Sequence, residues 1–360
     1  MDGHTELWLV TAASICVACI VGLTLRMLTN WMLERLAAGT AYRPNLLRAS
    51  EIINALLSTY MLIVGTYEKC ILIGKGLVLE YYVTTLLLSI AYSYILQPAS
   101  PNPMSLVIKY WDLLVHEESK YENGRANHIP DQSEESPPHV DGLRRRGGDS
   151  YVPMTSAQDI VTSYQKRKPH SSLWMFIKLA GPSLLGQFLG LHTAIQWLHF
   201  TWDGYLTSHH VTKTGLLKDC IICLNTGPIQ GFIIEGFLAF LYAVSVQRLS
   251  NLTIFGPWSF FVTSCLQSIV TTIALYAFVN VTGAFANPLS AYALERECLY
   301  DIIVVLNHII VYVFGALAGT MAFKIIPKEK QMVTILAYSS AFLFFYCFTP
   351  NILDKSYIFM

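Results

Sequence analysis

The chain has 360 residues, of which 53% are hydrophobic and only 13% are charged. Soluble domains carry about a quarter charged residues, so this composition excludes a soluble globular protein and predicts a chain that crosses a membrane several times. Basic and acidic residues balance at 24 each, which gives no indication of a nucleic-acid partner.

Eight apolar segments have the length of a membrane-spanning helix, about 20 residues. Acidic residues precede the first segment and Arg26 lies at its end, which predicts a retained anchor and not a cleaved signal peptide. We therefore expect an all-α, multi-pass membrane protein. The segments lie at about 7–28, 50–72, 77–97, 173–200, 227–247, 256–280, 302–326 and 331–349.

Lys and Arg are unevenly distributed between the two sides that these spans define. One side, made of loops 29–49, 98–172, 248–255 and 327–330 with their flanking residues, holds seventeen, whereas the other side holds six. The positive-inside rule places the first side in the cytosol and both chain termini outside it.

The longest polar segment, residues 117–172, is rich in Pro, Ser, Glu and Arg. This composition predicts a disordered cytosolic insertion. The predicted domains are an N-terminal extra span with a basic linker (1–49), two core spans and a half-helix (50–116), the insertion (117–172), a third core span (173–200), a second repeat (201–326) and a C-terminal extra span with a tail (327–360).

Two Asn-Pro pairs interrupt the apolar sequence. Proline disfavours helix in the residue before it, so each Asn should end one segment and each Pro begin another. The apolar stretches that follow, 103–116 and 288–298, are too short to cross a bilayer at about 1.5 Å per residue. We therefore expect two half-helices, which begin at Asn102-Pro103-Met104 and at Asn287-Pro288-Leu289.

Each Asn-Pro pair has a glutamate two spans upstream, Glu51 and Glu235, at separations of 51 and 52 residues. A carboxylate within a span usually faces the interior, and we expect both to accept hydrogen bonds from the backbone of the interrupting loops. The last span of each half carries two glycines four residues apart, which favours close helix packing. These are Gly186 with Gly190 and Gly315 with Gly319.

The chain is thus predicted to contain two copies of a unit made of span, span, half-helix and span. An odd number of spans in each copy gives the copies opposite topologies. Asn102 and Asn287 would then meet near the midplane at two helix N-termini, whose free N–H groups and positive dipole ends repel cations and protons. Neutral molecules that form hydrogen bonds would pass this point.

This pattern resembles the aquaporin (major intrinsic protein) family, whose paired Asn-Pro-Ala boxes stand where the two Asn-Pro triplets stand here. The resemblance covers about 50–116 and 173–326. Further features resemble the unorthodox, intracellular branch, the superaquaporins: the degenerate third box positions, Thr282-Gly283-Ala284 before the second box, Gln187, and Cys298, nine residues after Leu289.

The resemblance implies six transmembrane helices and two re-entrant half-helices that form a passive channel without a cofactor. It also implies a homotetramer in the endoplasmic reticulum or another intracellular membrane. Ungapped transfer of the family's selectivity filter gives Tyr82, Leu275, Ala284 and Ser290. Family water channels usually carry Arg directly after the second box, so Ser290 implies a wider, less polar filter. Glycerol and hydrogen peroxide are then candidate permeants beside water.

Two other functions fit the same pattern. A secondary transporter also uses inverted repeats and broken helices, but it usually adds charged midplane residues, and in these spans only Glu51 and Glu235 stand out. The other is a homologue whose pore does not conduct. No grouping of residues supports an enzyme. Cys220 and Cys223 lie near His209 and His210, but without a familiar zinc-finger spacing, so we expect no metal site.

Overall fold

The computed structural model describes residues 3–37, 43–96, 99, 101–111, 172–204, 210, 222–249, 258–327 and 330–331. Within these ranges the regular elements are helices, and there is no strand. In chain order they are α1 (Gly3–Ala37), α2 (Arg43–Gly74), α3 (Val78–Ile95), α4 (103–111), α5 (Ser172–Asp203), α6 (Pro228–Val244), α7 (Ser259–Thr282), α8 (Pro288–Glu295) and α9 (Ile302–Ile325).

Six of the described helices are long and apolar enough to cross a membrane: α1, α2, α3, α6, α7 and α9. The prediction of an all-α, multi-pass membrane protein is therefore confirmed for the described residues. Helix α5, at 32 residues, would be about 48 Å long at 1.5 Å per residue, but it is not among the six. The predicted span at 331–349 and the insertion at 117–172 lie outside the described residues, apart from residues 331 and 172.

The chain divides into two compact units, Met1–Trp111 with Leu179–Met360, and Asp112–Lys178. The first unit holds the packed helices and the candidate site. Of the second unit, the structure describes 172–178, the first residues of α5.

Close backbone contacts join α2 to α5. A Cβ on Gly186 would overlap the backbone carbonyl of Ile52, and one on Gly190 would overlap that of Leu56. Small residues are needed where helix backbones approach this closely, because any side chain would separate them. The two glycines thus set the distance between α2 and α5.

The same arrangement recurs between α6 and α9. A Cβ on Gly319 would overlap the backbone of Gly236, and one on Gly315 would lie 3.0 Å from the carbonyl oxygen of Phe232. In both helix pairs, glycines four residues apart meet carbonyl groups four residues apart. The two halves of the chain therefore use one packing geometry twice.

Helix α1 packs antiparallel to α2 through polar contacts. Ser14 Oγ donates to Glu68 Oε1 at 2.6 Å, and Arg26 Nε donates to Asn54 Oδ1 at 2.7 Å. Arg26 also donates to the backbone carbonyl of Ile95, at the C-terminal end of α3, where carbonyl groups lack partners within the helix. The sequence suggested that Arg26 is a charge at the edge of the membrane, but its side chain is buried. Because it binds residues of α2 and α3, α1 is part of the helix bundle.

Candidate functional site: a cavity at two Asn-Pro segments

A cavity of about 450 Å³ lies between α2, α3, α6 and α7 and reaches both Asn-Pro segments. Asn102 and Asn287 line it, although each is only 6% exposed. Hydroxyl and amide side chains are spread along its wall among apolar ones, and Ser89, Ser268 and Gln267 are examples. Such a wall offers hydrogen bonds to a small neutral molecule without binding it tightly.

Each asparagine caps the half-helix that follows it. Met104 N donates to Asn102 Oδ1 at 2.9 Å, and Leu289 N donates to Asn287 Oδ1 at 3.1 Å. Asn is a preferred N-cap residue because its side-chain oxygen accepts from an otherwise unpaired N–H. Proline follows at the first helical position, where the missing N–H costs nothing. The local sequence thus explains where α4 and α8 begin.

The asparagine amide groups also cross between the two segments. Asn102 Nδ2 donates to the carbonyl of Ala286 at 3.0 Å, and Asn287 Nδ2 lies 3.5 Å from the carbonyl of Pro101. The two Asn-Pro segments, far apart in sequence, are therefore neighbours in space. Each amide carries two hydrogens, and both asparagines face the cavity.

The two half-helices leave this meeting point towards opposite ends of α2. Lys109, late in α4, lies within electrostatic range of Glu51 in the N-terminal part of α2. Tyr67, in the C-terminal part of α2, donates its hydroxyl to the carbonyl of Ala293, late in α8. Both helix N-termini consequently point at the cavity from opposite directions.

Glu235 holds the second Asn-Pro segment. Its carboxylate is 1% exposed. Oε1 accepts from the hydroxyl of Thr282 at 2.6 Å and from Phe285 N at 3.3 Å, while Oε2 accepts from Ala286 N at 2.8 Å. These bonds satisfy a buried charge, which would otherwise be costly in an apolar bundle.

The backbone that Glu235 holds is strained. Ala284 and Ala286 have φ values of 51° and 46°, a left-handed conformation that costs a residue with a side chain about 1–2 kcal/mol. Gly283, with φ of 80°, ends α7 in the same conformation without that cost. Such strain persists only where the surroundings enforce it, and the bonds from Phe285 N and Ala286 N to Glu235 do so.

Glu51 has a different environment from Glu235. Among the described residues it has no hydrogen bond to a loop backbone, and it lies within electrostatic range of Lys109 and Arg48. The repeated glycine contacts match Ile52 and Leu56 of α2 with Phe232 and Gly236 of α6. In that match the residue of α2 equivalent to Glu235 is Ala55. Glu51 lies about one helical turn before Ala55, so Glu51 and Glu235 are not structurally equivalent, although their distances in sequence from the Asn-Pro pairs are nearly equal.

Of the four filter positions taken from the resemblance, Leu275, Ala284 and Ser290 line the cavity. Tyr82 does not. It packs edge to face against Tyr276 with ring centroids 5.2 Å apart, and its neighbour Tyr81 lines the cavity instead. Tyr81 and Tyr82 face different directions because one residue turns a helix by about 100°.

The third residues of the two boxes face away from the cavity. Met104 is buried in a cluster with Ala239 and Ala316. Leu289 packs against the main apolar core. The two side chains therefore contribute to core packing and leave the cavity wall to other residues.

Lys69 lines the cavity, although its sequence position, inside the predicted span 50–72, did not identify it as a site residue. Its side chain lines the cavity, and Nζ lies 5.9 Å from the ring centroid of Tyr81, within the range of a cation–π contact. Its position in an apolar span was the available signal, since ionisable residues in spans are usually functional.

The structure also contains two buried Glu–His pairs that the sequence did not predict. Glu68 Oε2 lies 3.1 Å from His210 Nε2, and Glu68 Oε1 accepts from Trp202 Nε1 at 3.0 Å. Glu295 Oε2 lies 3.0 Å from His308 Nδ1. Neither pair lines the cavity. Glu295 and His308 join α8 to α9, and Glu68 joins α2 to Trp202 of α5, so these two buried carboxylates have partners.

The structure also bears on the cysteine and histidine residues. His209 and Cys220 lie outside the described residues, and within the described part no group of three or more side chains is placed to bind a metal ion. Burial raises the pKa of the Cys223 thiol, which disfavours the thiolate that would bind metal. Cys298 is buried and disulfide-bonded.

Comparison with known proteins gives a limited similarity. The chain is 26% identical to aquaporin-12 of Mus musculus over 136 residues, which cover 38% of this chain and 44% of the mouse protein. The chain thus matches less than half the length of this relative. Searches of known protein families and of solved structures give no match. The similarity and the helical membrane architecture fit a channel or a transporter.

Proposed function

We propose that this protein is a passive, aquaporin-like channel for water and small neutral solutes, built as an inverted repeat with α4 and α8 as re-entrant half-helices. The observation that carries the proposal is the cavity at Asn102 and Asn287, where two helix N-termini meet from opposite directions. The repeated glycine contacts of α2 with α5 and of α6 with α9 support the repeat.

Proton exclusion follows from the same arrangement. The N-terminus of a helix carries roughly half a positive elementary charge, and two such ends face the cavity at Asn102 and Asn287. A hydronium ion or a metal cation meets this positive potential where the surrounding protein is apolar and the dielectric constant is low. Water and other neutral molecules meet asparagine amides that can donate hydrogen bonds to them.

A secondary transporter remains less well supported. Coupling to a cation or a proton usually relies on acidic side chains at the binding site. The buried carboxylates of Glu68, Glu235 and Glu295 all have hydrogen-bond partners, and none of them lines the cavity. The described cavity is therefore better suited to passive permeation.

The disulfide at Cys298 agrees with the proposed orientation. The distribution of Lys and Arg places residue 298 on the side away from the cytosol, and disulfides persist in oxidising compartments such as the endoplasmic reticulum lumen. We propose an intracellular membrane, the endoplasmic reticulum foremost, and assembly as a homotetramer. Both proposals rest on the resemblance to the superaquaporins.

The test is stopped-flow light scattering on proteoliposomes, with water, glycerol and hydrogen peroxide compared. The wild-type protein should pass all three because no fixed cation stands at Ser290, which lines the cavity as a small hydroxyl. Ser290→Arg should lower glycerol and peroxide flux roughly tenfold, equivalent to about 1.4 kcal/mol of added barrier, and lower water flux less.

The matched control is Ser259→Arg, at the first residue of α7 and away from the cavity wall. It should leave all three fluxes unchanged. If a correctly folded Ser290→Arg protein keeps the wild-type ratio of solute to water flux, the constriction does not lie at Ser290.

A further inference from the structure

Lys69 carries the one formal charge among the described residues that line the cavity. The other described lining residues are apolar, hydroxyl, amide or thiol side chains, or neutral tyrosines. Lys69 also has no ion pair with any described carboxylate, since the described salt bridges involve other residues. An ammonium that pairs with no described carboxylate gives this part of the cavity a net positive potential.

The position of Lys69 along the cavity follows from its neighbours. Tyr67, two residues earlier on α2, donates its hydroxyl to the carbonyl of Ala293 on α8. Ala293 lies six residues after Asn287, roughly 9 Å along a helix at 1.5 Å per residue. Lys69 therefore lies at the level of the C-terminal half of α8 along the cavity, on the Ser290 side of the asparagine pair.

The ammonium is held at the cavity wall and not in open solvent. Tyr81 lies against it in the cation–π contact, and Tyr81 is itself only 7% exposed. A lysine side chain is a compact point charge with three hydrogen-bond donors. A permeant that travels along the cavity must pass this charge in addition to the helix N-termini.

We propose that Lys69 is the specificity-determining cation of this cavity, supplied by α2 and not by the residue after the second Asn-Pro pair. It repels metal cations and hydronium, and it donates hydrogen bonds to the oxygen atoms of neutral permeants. The proposal rests on the proposed channel function. It also gives the filter a charge that Ser290 does not provide.

The experiment measures potassium-ion permeability and water flux in proteoliposomes for Lys69→Met, Lys69→Arg and wild type. Lys69→Met removes the charge and keeps a flexible stem, and it should raise potassium permeability at least about tenfold, equivalent to about 1.4 kcal/mol of lost barrier. Lys69→Arg keeps the charge and should stay as impermeable to potassium as the wild type. A purely structural role would make the two variants behave alike.

Lys75→Met is the matched control, because Lys75 is exposed in the turn after α2 and does not line the cavity. It should behave as wild type. If the Lys69→Met protein keeps its water flux, it is folded. If that flux is lost, Lys69→Gln is measured as a second uncharged variant. A folded, uncharged variant as impermeable to potassium as the wild type overturns the inference and leaves the channel function standing. Absence of water flux through the wild type overturns the channel function and the inference together.

Discussion

Replacing Glu235 with Gln should destabilise the protein by about 1–3 kcal/mol and reduce water flux roughly tenfold. The carboxylate accepts three hydrogen bonds, from Thr282, Phe285 and Ala286. An amide offers one acceptor oxygen and sets an NH₂ group against backbone N–H groups, so at least one buried donor loses its partner at about 1–3 kcal/mol. The flux estimate corresponds to about 1.4 kcal/mol of added barrier.

The loss of flux has a structural route through the strained segment. Ala286, whose N–H binds Glu235, also accepts from Asn102 Nδ2 through its carbonyl. Release of Ala286 would therefore displace the asparagine of the other half-helix. Glu297→Gln is the control, since Glu297 is exposed and pairs with Arg296 at the surface. Wild-type thermal stability and flux in Glu235→Gln would show that the segment does not depend on this carboxylate.

Gly319→Ala should be the most damaging single-methyl change in the described part of the chain. A Cβ at this position would overlap the backbone of Gly236, and a backbone atom cannot rotate away as a side chain can. Helices α6 and α9 would have to separate, at a cost of about 1–3 kcal/mol or more. The expected result is a lower midpoint of thermal unfolding and less monodisperse protein in detergent.

Gly181→Ala on α5 is the matched control because nothing lies within 4 Å of the Cβ it would add. Alanine is also the better helix former, by about 1 kcal/mol, so this variant should be as stable as the wild type or more stable. Equal thermal stability of the Gly319 and Gly181 variants would contradict the close helix contact.

The sequence alone predicts the larger elements well because their signals are local. Apolar runs indicate the spans, and an Asn followed by Pro indicates both the end of one segment and the cap of the next. The prediction that Asn102 and Asn287 meet needed only the repeat of this motif, and the structure brings them together through the bond to Ala286. This prediction depends on the repeated motif and not on the contacts of individual side chains.

The contacts that the sequence did not reveal depend on rotation about a helix axis or on distant partners. Tyr82 and Tyr81 differ by one position, which decides whether a side chain faces the cavity or a neighbouring ring. Glu68 and His210 are separated by 142 positions, and no local pattern connects them. Equal spacing suggested that Glu51 and Glu235 are equivalent, whereas the glycine contacts show a difference of one turn.

The most direct test of the central claim, that small neutral molecules cross the membrane through this cavity, uses a cysteine already in its wall. Cys70 is not part of a disulfide and lines the cavity, as does Lys69, whereas Cys265 is likewise not part of a disulfide but lies away from the cavity. The measurement is osmotic shrinkage of proteoliposomes with and without a mercurial reagent. We expect faster shrinkage than in empty liposomes and inhibition by the mercurial. Cys70→Ala should abolish that inhibition, and Cys265→Ala should preserve it. Shrinkage no faster than in empty liposomes, or inhibition that persists in Cys70→Ala, would contradict the account.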